Sequence, residues 1–107
     1  MKPEPFPRPE WSPLPFEGCS GVEGKVLARE GGFFIAMLRF ERDGTIHEHP
    51  GPNDTLVMCI DGEGWTSIAG DRAQIRAGEL VRWPKDVSHR LWTDGTEMTT
   101  VMYEQTS

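Results

Sequence analysis

The sequence predicts an all-β domain, an antiparallel barrel or sandwich, on three observations. Turn dipeptides recur at short intervals, at Gly31-Gly32, Asp43-Gly44, Asp61-Gly62, Gly70-Asp71 and Asp94-Gly95, and their residues tolerate positive φ. Between them lie strand-length runs rich in apolar and β-branched residues. No segment sustains a 3.6-residue apolar period between helix caps.

The elements follow in order. Residues 1–20 form a Pro-rich N-terminal arm, with six of the nine prolines in the first fifteen positions. Proline lacks an N–H and fixes φ, so this stretch is neither a central strand nor a helix interior. Phe6, Trp11 and Phe16 give the arm aromatic surface to lay on its own barrel or on a neighbouring subunit. The barrel then occupies residues 21–107, with strands expected near 22–29, 33–41, 45–49, 55–60, 65–69, 73–76, 79–83, 87–93 and 96–104. Phe33–Phe40 is apolar on both faces: Phe33, Ile35 and Met37 on one, Phe34, Ala36, Leu38 and Phe40 on the other. A solvated sheet alternates with polar residues, so the second face needs a cover, and a homodimer is the economical expectation.

Composition removes several classes of function. The chain has 107 residues, enough for one domain with one core. Acidic residues outnumber basic ones 17 to 11, for a net charge of −6 with the charges scattered, whereas a nucleic-acid binder needs a concentrated basic face. No apolar stretch, Leu56 to Ile60 included, approaches the ~20 residues of a membrane span. No charged-then-apolar leader opens the sequence, and two cysteines, Cys19 and Cys59, make no disulfide framework. A cytoplasmic domain with a small-molecule partner is the expectation. There is also no strained Gly-x-Ser-x-Gly turn, phosphate-cradling loop or paired-cysteine zinc motif.

The three histidines carry the functional signal. His47 and His49 are one residue apart in a strand-like segment, so both imidazoles project to one side while Glu48 projects to the other. Two neutral imidazoles on one face begin a metal site. The surroundings of these residues and of His89 resemble the two motifs of the cupin superfamily, as in its small single-domain microbial members. The first motif, G-x5-H-x-H-x3,4-E-x6-G, is met by His47, His49 and Gly62, with Gly44 as an opening glycine closer to the first histidine than the pattern asks. The second, G-x5-P-x-G-x2-H-x3-N, is met by Gly78, Pro84 and His89, with Asp86 replacing glycine and Thr93 replacing asparagine.

The resemblance implies a small jelly-roll barrel in which His47, His49 and His89 hold one divalent transition metal, whether Fe, Mn, Ni, Zn or Cu. Three nitrogen ligands from two strands leave coordination positions open for water, dioxygen or a chelating substrate. The motif's glutamate is missing. Counting forward from His49 puts its position at Asn53 or Asp54, and counting back from Gly62 puts it at Thr55. Either Thr55 faces inward beside a three-histidine site, or a bulge lets Asp54 supply a carboxylate as fourth ligand. The expected function is binding or metal-dependent conversion of a small organic molecule in a mainly hydrophobic cavity, as a dioxygenase or isomerase. The alternatives are a non-catalytic ligand-binding sensor and a metal-free dimerisation module.

The remaining candidates have plain structural readings beside functional ones. Cys59 is either a cavity thiol or a small buried residue. Trp65, Trp83, Trp92, Met37, Met58, Met98 and Met102 line a pocket or fill core and interface. Arg82 and Arg90 clamp a carboxylate or pair at the surface. No residue stands out as a general base; Asp54 and Glu48 are near in sequence only.

Overall fold

The computed structural model describes all 107 residues and contains eight strands and no helix. They are β1 (Arg8–Pro13), β2 (Ser20–Arg29), β3 (Phe33–Pro50), β4 (Thr55–Ile68), β5 (Asp71–Arg76), β6 (Leu80–Trp83), β7 (Ser88–Trp92) and β8 (Met98–Gln105). All pairings are antiparallel.

Closure comes from two long strands that each serve both layers. The first half of β3 pairs with β2 and β8, and its second half pairs with β7. The first half of β4 pairs with β6 and β8, and its second half with β5 and β7. The circuit β3–β8–β4–β7 therefore returns to β3, which makes a barrel of two joined sheets. Ten buried residues fill the space between them: Val22, Leu38, Phe40, Ile46, Val57, Cys59, Ile75, Trp83, Leu91 and Met98.

Three local expectations are corrected. Asp43-Gly44 is no turn, because β3 runs through it; Gly44 is needed where the chain passes Gly21, whose carbonyl oxygen would stand 2.5 Å from an added Cβ. Asp61-Gly62 is no turn either. It lies at a register shift inside β4, where Gly62 has φ +74° and the Glu97 carbonyl occupies the place of a Cβ. Turn-type residues serve here as a bulge and a close crossing. Finally, Arg8–Pro13 within the arm is a strand, paired to β2. It sits at the sheet edge, where a strand tolerates proline. Two mergers and one addition turn the nine expected strands into eight.

Candidate metal centre

The three histidines come from two paired strands, β3, which crosses between layers, and β7. His49 on β3 is the cross-strand partner of His89 on β7. The register slips by one residue between Ile46 and His49, and this bulge lets Ile46, His47 and His49 all face the interior, which strict alternation forbids. The His47 and His49 ring centroids lie 4.7 Å apart, as do those of His49 and His89. Glu48 points to solvent, as the period of two requires.

Each Nδ1 already has a partner. His49 Nδ1 lies 2.9 Å from the His47 carbonyl oxygen and His89 Nδ1 lies 3.2 Å from that of Val87. A carbonyl only accepts, so in both rings Nδ1 carries the proton and Nε2 presents its lone pair. His47 Nδ1 instead meets the thiol of Cys19 at 3.7 Å. The turn before β2 is laid directly on this ring: Gly18 has φ +86°, and a Cβ there would stand 2.8 Å from His47 Cβ and Cγ.

Trp83 fixes the third histidine. Its ring stacks on His89 with centroids 3.9 Å apart and planes 10° from parallel. The indole N–H donates to Thr66 Oγ1 at 3.0 Å, and that hydroxyl donates to the Arg90 carbonyl at 2.9 Å. Both Trp83 and His89 are buried. Burial, aided by the neighbouring His49, lowers the His89 pKa from its usual 6.5 to about 4 against the opposing pull of the Val87 carbonyl. His89 is therefore neutral at pH 7 and free to act as a ligand.

This shift has a sign that can be tested. The unfolded chain binds a proton at His89 below about pH 6.5, while the folded one does so only near 4. Folding stability linked to this group is thus full above pH 6.5 and is lost as pH falls toward 4. Chemical denaturation in the presence of chelator should show this loss for wild type, and a smaller loss for His89→Gln. Equal pH dependence of the two proteins would refute the linkage.

The histidines stand in the wall of a cavity of about 930 Å³. Ten of its 26 lining residues are hydrophobic, and most of the surface that the wall exposes is apolar, as expected. Leu14, Phe16 and Cys19 place the arm on one side, and Trp83 and Met102 stand on the others. Glu17 and Glu104 are its two carboxylates. Thr55 lies in the wall as well, paired across strands with Trp83. Asp54 is exposed and its carboxylate accepts the Lys85 backbone N–H at 2.8 Å, away from the imidazoles.

Other sequence candidates lie elsewhere. Cys59 is core, its thiol directed to the Asp61 and Gly62 carbonyls and its pKa pushed up by burial. Trp65 and Trp92 stack on each other at 6.4 Å with Arg90 over Trp92. Met98 is core. Cys19 was not legible as a site residue, since nothing in the sequence links it to a histidine 28 positions away.

A model of the cupin domain family matches residues 36–104, well over half of the chain and both histidine motifs. The chain is a cupin. No curated protein matches it, but many solved structures share its fold. This cupin is similar to the polyketide cyclase RemF from Streptomyces resistomycificus, with TM-score 0.85 and 13% identity over 98% of this chain and 79% of that one. It is similar to KdgF from a Halomonas species, with TM-score 0.80 and 13% identity over 90% and 86% of the chains. A cupin-like protein from Thermotoga maritima gives TM-score 0.82 and 19% identity over 95% and 80%. At these identities the likeness is one of fold. No helix of this cupin is long and apolar enough to cross a membrane.

No three His, Cys, Asp or Glu side chains form a group already arranged to hold a metal ion. The donor chemistry of the histidines nonetheless fits a divalent transition metal. Two protonated Nδ1 atoms are held by carbonyls, the second layer of contacts that metal-ligating imidazoles characteristically have.

Proposed function

We propose that this cupin binds a divalent transition metal through Nε2 of His47, His49 and His89, and uses it to hold a small chelating molecule in the barrel cavity. The observation that carries this reading is the meeting of three imidazoles from two strands at one cavity wall, with every Nδ1 already engaged. A bound divalent ion supplies Lewis acidity and open coordination positions. The chain's own part is to orient the rings. Trp83 holds the His89 plane, the β3 bulge turns His47 and His49 inward, and the arm shields one side from water. Thr55 offers a neutral hydroxyl where the family pattern has a carboxylate, so the site keeps the ion's full charge and favours an anionic or bidentate ligand. Oxidation or isomerisation of such a molecule is the reaction class this supports.

Elemental analysis of untagged protein after reconstitution with Fe, Mn, Ni, Zn or Cu tests the reading. Near-stoichiometric metal is expected in wild type and not in His47→Ala or His89→Ala. Wild type that stays empty would overturn it. A second reading, a barrel that binds its ligand without metal, has support in the absence of an already closed ligand group and would then stand.

A further inference from the structure

One row of side chains crosses the whole cavity wall. Arg29, Phe34, Glu104, Thr55 and Trp83 follow one another through consecutive cross-strand pairs of β2, β3, β8, β4 and β6. All five line the cavity, and Trp83 stacks on His89. Arg29 owes its place to a second bulge. Val22, Gly24 and Val26 pair with the inward-facing Phe40, Leu38 and Ala36, so strict alternation would turn Ala28 inward next. The register slips between Val26 and Ala28, and Arg29 faces inward instead, opposite Phe34. Four strand spacings, about 19 Å of curved wall, separate it from Trp83.

Arg8 joins it there. It is the β1 partner of Val26, one same-face step from Arg29, and such diagonal neighbours lie about 7–8 Å apart, within reach of long side chains. Neither guanidinium has a carboxylate partner, because the chain's two ion pairs use Arg39 and Arg76. Phe34 lies under the Arg29 guanidinium at 4.8 Å, which occupies one face and leaves the N–H edge free. Lys25, the third cation of the wall, is held over Trp11 at 4.7 Å. Of the two carboxylates, Glu17 precedes Gly18, which abuts His47. Glu104 stands midway along the row, two strand spacings or about 10 Å from Arg29. The two guanidiniums therefore hold the far end of the cavity alone.

We infer that Arg8 and Arg29 form an anion site, which takes a carboxylate or phosphate group of the ligand at the end of the cavity opposite the histidines. Two like charges this close repel. An anion between them removes that cost and uses the free N–H edges, which match two oxygens of either group. The rest of the molecule does not compete for such a ligand, since the chain carries −6 overall and an acidic surface turns anions away. The ligand so defined chelates at one end and carries an anionic group at the other, which narrows it to an organic acid or a phosphate ester. Its chelating end rests on the metal reading proposed above, whereas the anion site stands without it.

Arginine Nε–H correlation spectra of metal-free, ¹⁵N-labelled protein at constant ionic strength test the inference, with acetate and inorganic phosphate as the probes. Saturable shifts are expected at Arg8 and Arg29 and not at Arg72 on β5. The probe that saturates at the lower concentration assigns the group as carboxylate or phosphate. Arg29→Gln is expected to weaken that binding by about tenfold or more. Arg8→Gln is expected to do the same, and it serves if circular dichroism shows the first variant misfolded. Silent Arg8 and Arg29 signals, or equal shifts at every arginine, would overturn the inference, as would binding that both variants retain. No metal takes part, so an empty histidine site leaves this result unaffected, and a loaded site beside silent arginines refutes the anion site alone.

Discussion

Trp83→Ala is expected to cost about 3–5 kcal/mol of folding stability and to free the His89 ring. Trp83 is 4% exposed, belongs to the core cluster and presents a cavity-facing edge. Its removal deletes the largest side chain of the core, empties the space beside His89 and leaves Thr66 Oγ1 without a donor. The stack on Trp83 covers one face of the His89 ring at 3.9 Å, closer than its edge contact with His49 at 4.7 Å, while the Val87 carbonyl holds a single atom of it. Trp83→Phe separates the two contributions. It keeps an aromatic face on His89 and loses the N–H bond, worth about 1 kcal/mol, together with part of the ring volume. Denaturant unfolding of the two variants should therefore differ by about 2 kcal/mol or more. A Trp83→Ala protein within about 1 kcal/mol of wild type would show that neighbouring residues close the gap and that Trp83 does not organise the site.

This role of Trp83 shows where sequence reasoning stops. The barrel itself was legible, because alternation and turn residues are local properties and the two histidine motifs have fixed spacing. The positions of the turns were less so. Asp-Gly and Gly-containing pairs signal a backbone that must adopt positive φ or admit a close neighbour, and a bulge needs the same residues as a hairpin. Gly62 takes its positive φ at a bulge and Gly44 admits a close neighbour, and neither makes a hairpin turn. The bulge between Ile46 and His49 was equally hidden, since no turn residue marks it. Likewise, the Trp83–His89 stack depends on how β6 lies against β7 through β4, a distance set by the whole barrel rather than by six residues of spacing. The apolar second face was legible from Phe33–Phe40 alone, whereas the inward turn of Arg29 required the β2 register.

Cys19→Ala is expected to weaken metal binding by about 10- to 100-fold, the usual cost of removing a partner of a ligating imidazole. His49 and His89 each have a backbone carbonyl two residues earlier on their Nδ1; His47 has a thiol contributed by the arm. With sulfur accepting the Nδ1 proton, all three rings present Nε2 alike. Without it, His47 is free to move its proton to Nε2 and withdraw its lone pair from the site. The expectation rests on the metal reading, yet it has a readout that needs no metal. Two-bond ¹H–¹⁵N correlation spectra of the imidazoles should show His47 protonated at Nδ1 in wild type, and redistributed toward Nε2 in Cys19→Ala while His49 and His89 stay unchanged. Cys19→Ser, which restores an acceptor on a shorter bond, should recover part of both effects. A His47 ring carrying its proton on Nε2 in wild type would mean that the thiol donates instead. The arm would then hold His47 in the form that cannot bind metal, and displacing the Gly18–Cys19 turn would be a precondition for loading the site.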